Sequence, residues 1–196
     1  MAVLESLRRE SVLVVLVDLA EGPLSSVRSI DGSELRRNAG LLAEACELLN
    51  LPVLIARAPL PGRAGKVLTE VQDRLTKSQT IEHATNDSWE SPAFATAVRE
   101  SGRTQLAFAG IATDVGVGLA ALSTVRAGLQ AAVLVDVCGA LNARLEQAAW
   151  LRLQQGGVAL LGWSSLVGEV HREYNRPPGP ELLQLIHRST ESGPLP

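Results

Sequence analysis

The feature that most constrains the fold is an unbroken run of six apolar residues, Val12 to Val17 (VLVVLV), which ends abruptly at Asp18. A strand with one face in water alternates apolar and polar residues, whereas a strand covered on both faces is apolar throughout. The run therefore predicts an interior strand of a parallel sheet, with helices packed against both faces.

Strands and helices are predicted to alternate along the rest of the chain. Short apolar segments predict strands over residues 53–56, 80–83, 106–109, 129–135 and 158–161. Helices are predicted over residues 33–49 (capped by Ser33), 66–75, 92–102, 142–155, 164–174 and 181–187, and from the fourth strand to about Gly128. This alternation predicts right-handed crossovers and a three-layer α/β/α Rossmann-like fold with about six parallel strands.

The length of 196 residues is typical of one domain, and the 46% apolar and 20% charged fractions are those of an ordinary globular protein. No linker is long enough to divide the chain. We expect an N-terminal segment over residues 1–10, one domain over residues 11–188 and a flexible tail over residues 189–196.

Charge and hydropathy exclude several classes of partner. The formal charge of −3 gives no electrostatic reason to expect binding to nucleic acid or an anionic membrane. The N-terminus lacks the apolar core of a signal peptide, and no apolar run approaches the ~18 residues of a membrane span. The two cysteines, Cys46 and Cys138, would stay reduced in the cytoplasm, which is the expected location. No two histidines or cysteines have metal-ligand spacing, so no metal is expected.

The candidate site lies where the predicted strands end, because ligands of parallel sheets bind outside the carboxyl ends of the strands. Asp18 ends the first strand, where poor solvation would raise its pKa and suit it to proton transfer. Glu82 and His83 end the third strand and could bind substrate or relay a proton. Plainer interpretations are that Asp18 caps a turn and that Glu82 and His83 are solvated loop residues. Asp136 is expected to orient a neighbouring loop.

The stretch from Gln105 to Ala121 (QLAFAGIATDVGVGLAA) predicts a strand, a tight turn and the start of a helix. Such a helix start offers free N–H groups and a positive dipole end to a developing negative charge. Gly116 lies at the heart of the turn, so this stretch can hold a substrate but cannot attack one.

The same stretch imitates a dinucleotide-binding fingerprint. Gly116 to Ala121 fits G-x-G-x-x-A, and Asp136 ends the following strand. However, six residues separate the strand end from the first glycine, and the unit follows the fourth strand rather than the first. Small residues here can simply let the helix pack closely on the sheet, and we expect no cofactor.

Taken together, these motifs resemble the isochorismatase-like hydrolase superfamily, also called cysteine hydrolases. The resemblance covers about residues 11–174 and is most similar to the bacterial amidohydrolase-like subgroup. It rests on the segments VLVVLVD, LNLPVLIA, NDSWESPAF, GRTQLAFAGIATDVGV, ALSTVRAGLQAAVLVDVCG and GWSSLVGEVHREY. The resemblance implies a Rossmann-like sheet, a small-molecule substrate and a homo-oligomer.

The resemblance also implies a catalytic Asp, a basic residue and a Cys nucleophile, of which only the Asp is present as Asp18. Gly116 stands at the Cys position, so the thiolate that would attack an amide-like carbon is missing. The basic position falls near Glu82 or His83, which also breaks the pattern unless His83 substitutes. Lys77 lies in LTK, which resembles the Lys motif of true isochorismatases, but it comes about six residues too early.

The turn after the fourth strand is expected to hold the substrate through Ala112, Thr113 and Gly116, with Trp89 as a further substrate-binding residue. The family often has a cis peptide just before the residue that matches Thr113. The resemblance therefore makes the bond between Ala112 and Thr113 the candidate.

Three functions are compatible with these residues. The first is a noncovalent, Asp18-dependent acid–base reaction on a small metabolite, for which true isochorismatases, with Gly at the same position, are the precedent. The alternative is a catalytically silent pseudoenzyme that binds a small molecule or serves assembly. The third is a different reaction, with Glu82 and His83 as new acid–base groups beside Asp18.

Overall fold

Six parallel strands form the centre of the fold, in the order β3-β2-β1-β4-β5-β6. The structure, a computed structural model, describes residues 5–190. The strands are β1 (Val12–Val17), β2 (Val53–Arg57), β3 (Ser78–Glu82), β4 (Gln105–Ile111), β5 (Gln130–Gly139) and β6 (Ala159–Leu161). All five pairings between neighbouring strands are parallel, which confirms the predicted sheet.

Helices cover both faces of this sheet, as predicted. They are α1 (Glu21–Leu24), α2 (Gly32–Leu48), α3 (Thr69–Gln72), α4 (Pro92–Ser101), α5 (Gly118–Arg126), α6 (Ala143–Gln155), α7 (Trp163–Val170) and α8 (Gly179–Thr190). One core contains buried residues of α2, α7 and α8, and the other contains buried residues of α4, α5 and α6. The fold is therefore a three-layer α/β/α sandwich.

Strand β1 belongs to both cores. Its six residues are all buried, and alternate residues pack on opposite sides of the sheet. Val12, Val14 and Leu16 join the core on the α2 side, and the residues between them join the core on the α5 side. This double burial is the physical reason why the run is apolar throughout.

Several predicted boundaries differ from the structure. Asp31, rather than Ser33, caps α2, because its carboxylate accepts hydrogen bonds from two N–H groups of the first turn. In place of a helix over residues 66–75, the structure has a 3₁₀ turn over Gly62–Gly65 and the short α3. Helix α7 ends at Val170, and β5 continues to Gly139.

The two ends of the described chain also pack more closely than predicted. Leu7 is buried, its N–H donates to the Glu169 carboxylate, and the Arg8 N–H donates to the Gln105 side chain. Helix α8 extends to Thr190, and the hydroxyls of Ser189 and Thr190 donate to carbonyls of the preceding turn. The rest of the predicted tail, residues 191–196, lies outside the described residues.

Strand β5 carries an irregularity that positions Asp136. Phe108 of β4 pairs with Val133, and Gly110 pairs with Cys138. Between these two pairs β5 contains three more residues than β4, which form a bulge. Asp136 lies within that bulge, and its Oδ1 accepts a hydrogen bond from the backbone N–H of Trp163 at the start of α7, at 2.9 Å. Burial raises the pKa of the Asp136 carboxyl. Its place fits the orienting role that the sequence predicted.

Between residues 5 and 190, no helix is both long and apolar enough to cross a membrane.

Candidate active site

A cavity of about 500 Å³ opens at the carboxyl ends of β1, β2 and β4. The sheet order 3-2-1-4-5-6 reverses direction between β1 and β4, which is where ligands bind in open parallel sheets. Residues from five separate segments line the cavity, among them Asp18, Ala58, His83, Ala112, Val115, Gly116 and Leu141.

Asp18 directly follows β1 and has an unusual backbone conformation. Its φ of 49° lies in the left-handed region, which Asp tolerates better than most residues do. Its N–H donates to the Ala56 carbonyl at 2.9 Å, and its Oδ1 accepts from the Ala58 N–H at 2.6 Å. The backbone directly after β2 therefore holds one carboxylate oxygen of Asp18, and Oδ2 is left without that bond.

His83 lies opposite that oxygen and is only 5% exposed. The backbone N–H of His83 donates to the Arg57 carbonyl at 3.0 Å, and this hydrogen bond continues the pairing of β3 with β2 by one residue. The ring Nδ1 lies 2.7 Å from the Thr85 carbonyl. Because a carbonyl only accepts, Nδ1 carries the hydrogen and Nε2 of the neutral ring has a free lone pair. This buried Nε2 has no hydrogen-bond partner within the described chain.

The two side chains form a pair that can share one proton. His83 Nε2 and Asp18 Oδ2 are 3.7 Å apart. Burial raises the pKa of Asp18, and this effect is opposed by the Ala58 N–H and by His83. With one proton, the pair consists either of a neutral acid and a neutral ring or of a carboxylate and an imidazolium. In either form it can both give and accept a proton at the cavity wall.

Gly116 lies in a π-helical turn, Thr113–Val117, that precedes α5. The Val117 N–H donates to the Ala112 carbonyl at 3.1 Å, five residues back, which defines this turn. A Cβ built on Gly116 would lie 3.9 Å from Asp18 Oδ2 and would meet no atom closer than 3.3 Å. The position therefore faces the carboxylate, and the site has room there for a small side chain.

Gly110 lets this turn approach Asp18. Its φ is 142°, and a Cβ on it would lie 1.9 Å from the Val17 carbonyl oxygen, so only glycine fits. The cis peptide that follows joins Ile111 to Ala112. The prediction that it joins Ala112 to Thr113 is therefore wrong by one residue.

Not all of the predicted site residues come together. The structure places Asp18, His83, Ala112 and Gly116 on one cavity, whereas Thr113 is fully buried and its hydroxyl donates to a carboxylate oxygen of Glu146 at 2.7 Å. Thr113 therefore anchors the turn to α6 and does not line the cavity.

Glu82 and Trp89 also lie away from the cavity lining. Glu82 is exposed and forms an ion pair with Arg57 at 2.6 Å. Successive residues of an extended segment point to opposite sides, so Glu82 and His83 cannot face the same cavity. The Trp89 indole N–H donates to the Thr124 hydroxyl at 2.8 Å, and its ring packs edge to face on Phe94. Trp89 therefore joins α4 to α5.

Lys77 lies at the amino end of β3, whereas the cavity lies at the carboxyl ends of the strands. It precedes β3, whereas Glu82 ends that strand, and five residues of extended chain span roughly 16 Å. Lys77 lines a different hollow, together with Leu13 and Glu100. It therefore does not take the place of the family's basic residue.

Several groups that shape the site carry no recognisable signal in the sequence. The Ala58 N–H fixes Asp18, but every residue except proline has an N–H, so nothing in the sequence distinguishes this one. Val115 and Leu141 supply exposed apolar walls, at 38% and 55% exposure. Across residues 5–190, no group of three or more His, Cys, Asp or Glu side chains is placed to hold a metal ion.

The all-parallel sheet, an aspartate after β1 and a helical turn after β4 define the class: a three-layer α/β/α protein with its candidate site at the carboxyl ends of the strands. Comparison with known proteins narrows this class. The sequence matches the Isochorismatase domain over residues 12–165. The chain belongs to this family, which places it in the cysteine hydrolase superfamily, as the sequence motifs predicted.

Relatives support this assignment across nearly the whole chain. The probable hydrolase YcaC of Escherichia coli (strain K12) is 31% identical over 169 residues, which cover 86% of this chain and 81% of the relative. The crystal structure of that gene product, described as an octameric hydrolase of unknown specificity, superimposes with a TM-score of 0.86 at 27% identity, over 97% of this chain and 98% of the other.

Two further structures show how widely the fold is shared. YcaC from Pseudomonas aeruginosa, determined with hexane-2,5-diol and covalent acrylamide, matches with a TM-score of 0.86 at 28% identity, over 96% and 98% of the two chains. An isochorismatase family protein from Burkholderia thailandensis matches with a TM-score of 0.70 at 14% identity, over 82% and 96%. The second likeness concerns the fold alone.

Proposed function

We propose that the protein catalyses a noncovalent, Asp18-dependent acid–base reaction on a small metabolite, with His83 as the partner that shares the proton. The observation that carries this proposal is the buried Nε2 of His83, which has no hydrogen-bond partner in the described chain and lies 3.7 Å from Asp18 Oδ2. A buried polar atom without a partner is costly and calls for an explanation, and His83 is the residue with such an atom that lines the cavity.

In a hydrolysis of this kind, water takes the place of the missing nucleophile. The water oxygen forms a bond to the electrophilic carbon of the substrate while one water proton passes to the Asp18–His83 pair. The bond to the leaving group then breaks, and the pair returns the proton to that group. Each turnover therefore restores the one-proton state of the pair.

The cysteines of the chain support a noncovalent route. Gly116 offers no atom for attack, and neither Cys46 nor Cys138 lines the cavity. Both are buried, which raises the pKa of the Cys46 thiol to about 12 and raises that of Cys138 as well. Reactive cysteines have a lowered pKa and some exposure, and these two have neither.

A silent binding or assembly protein is the second candidate, favoured by Gly116 and by the octameric assembly of the Escherichia coli relative. That relative also supports the proposal that this chain forms a homo-oligomer. The two free, buried cysteines are compatible with the proposed cytoplasmic location. A reaction that uses Glu82 has less support, because Glu82 is paired with Arg57 outside the cavity.

The test is a mass-spectrometric screen of the full-length protein against simple amides, isochorismate and a small-metabolite extract. The variants are Asp18→Asn and His83→Gln, and Glu82→Gln is the matched control because it neutralises a carboxylate outside the cavity. We expect the parent and the control to turn over the same compound, and each of the other two variants to lose at least about 100-fold in rate.

The other outcomes are equally informative. Loss of activity in Asp18→Asn with full activity in His83→Gln would remove His83 from the mechanism. A ligand retained by all four proteins without turnover would favour the binding protein. Activity lost in Glu82→Gln would instead support the reaction in which Glu82 takes part.

A further inference from the structure

Apolar side chains make up much of the cavity wall, and Asp18 and His83 lie together at one end of it. Its apolar lining comes from five different segments and includes Pro23, Ala58, Pro59, Ile111, Val115 and Leu141. The last two are 38% and 55% exposed, so the apolar surface continues to the mouth of the cavity. A ligand would exchange water for apolar contact along most of its length.

The polar side chains of the lining are uncharged, apart from Asp18 and His83. The hydroxyl of Ser26 donates to the Pro23 carbonyl, and that of Thr85 donates to the Asp87 carbonyl. Asn86 is also part of the lining. These groups can orient a ligand but cannot neutralise an anion.

No lysine or arginine belongs to the lining, within the described part of the chain. Arg57 adjoins Ala58 in sequence, but its guanidinium donates to the Gly65 carbonyl and to Glu82. The Asp18–His83 pair is neutral when it holds one proton and negative when it holds none. A carboxylate or phosphate would therefore lose hydration on entry without gaining a counter-ion.

We infer that the cavity selects an uncharged, largely apolar small molecule with one hydrogen-bonding group, such as an amide, and rejects carboxylates and phosphates. The inference rests on the proposed function, because it takes the Asp18–His83 pair as the polar end of the site. When the pair holds one proton, one of the two atoms Asp18 Oδ2 and His83 Nε2 donates a hydrogen bond and the other accepts one, which suits a group with both a donor and an acceptor.

Hexanamide and hexanoate are matched probes, because they have similar shape and differ in charge. Ligand-observed NMR titration of the full-length protein near neutral pH measures their affinities without requiring turnover. We expect the parent to bind hexanamide at least about tenfold more tightly than hexanoate. The turnover screen can therefore refute the proposed catalysis while the titration supports the binding selectivity. The titration can likewise refute the selectivity while the screen supports catalysis.

A charge added at the mouth tests the electrostatic origin of the selectivity. Leu141→Arg places a guanidinium on the exposed cavity wall, and we expect it to strengthen hexanoate binding several-fold. Leu151→Arg is the matched control: Leu151 is 62% exposed but does not line the cavity, so this variant should bind like the parent.

Three results would overturn the inference. The first is parent protein that binds hexanoate as tightly as hexanamide. The second is an equal gain in hexanoate binding in Leu141→Arg and Leu151→Arg. The third is that neither hexanamide nor hexanoate binds at millimolar concentrations, because a largely apolar cavity should bind the uncharged hexanamide.

Discussion

Gly116 is the position where a single substitution should change the chemistry of the site most. Replacing it in the variant Gly116→Cys adds a Cβ that would lie 3.3 Å from Val17 Cγ1, 3.4 Å from the Ile111 carbonyl oxygen and 3.9 Å from Asp18 Oδ2. The first two contacts are slightly tight, so we expect a stability cost of at most about 1 kcal/mol. The introduced thiol would face the cavity.

The thiol's reactivity can be compared with that of the native cysteines. With a pKa of about 12, only on the order of one in 10,000 Cys46 thiols is ionised near pH 8. A thiol with the ordinary pKa of about 8.5 would be about one quarter ionised under the same conditions. The ratio is on the order of 1,000. Because the Asp18 carboxylate disfavours a neighbouring thiolate, we expect alkylation at least about 100-fold faster than in the parent.

Intact-protein mass spectrometry during reaction with acrylamide measures these rates directly. Gly116→Ser is the control for shape without a thiol. Gly32→Cys is the control for an ordinary accessible thiol, because a Cβ on Gly32 would meet no atom within 4 Å. Thermal denaturation of each variant checks that the fold survives. If a folded Gly116→Cys protein is alkylated no faster than the parent, position 116 does not face an accessible cavity, and the geometry described for the site is wrong.

Two further predictions concern stability. Burial raises the pKa of Asp18 in the folded protein above its value of 3.8 in the unfolded chain. The protonated side chain therefore contributes to stability below pH 3.8, and this contribution is lost as the pH rises through the higher native pKa. Asp18→Asn should therefore raise the melting temperature near pH 7 but not near pH 3, and a lower melting temperature near pH 7 would contradict this. Gly110→Ala should lower the free energy of unfolding by more than about 4 kcal/mol, because its Cβ would lie 1.9 Å from the Val17 carbonyl oxygen, whereas Gly116→Ala should cost less than about 1 kcal/mol. Urea denaturation compares the two variants, and similar midpoints would refute the close approach of β4 to β1.

The sequence by itself determined the architecture and the family. The run from Val12 to Val17 is apolar throughout because its residues pack alternately into two cores, and this requirement is visible in the sequence without any knowledge of the partners. Asp18 and the turn around Gly116 were also identified from the sequence, because both follow strands whose ends are marked by an abrupt loss of apolar character. Patterns of this kind depend on neighbours in sequence.

Tertiary structure decided which candidates actually meet. Glu82 and His83 are adjacent in sequence, and only their position at the end of β3 shows that His83 faces Asp18 while Glu82 pairs with Arg57. Trp89 was predicted to bind substrate, and the structure places it between α4 and α5. In each case the decisive fact is the side of a strand or helix on which a side chain lies, and a shift of one residue reverses it.

The hydrogen bond from the Ala58 N–H to Asp18 shows the limit of sequence reasoning most clearly. The two residues are 40 positions apart and meet because β2 pairs with β1 in one register. Their contact uses a backbone group that nearly every residue has, so no residue type marks it. What the sequence encodes locally is the burial of each strand; what only the folded chain decides is which backbone and side-chain atoms of distant strands come within hydrogen-bonding distance.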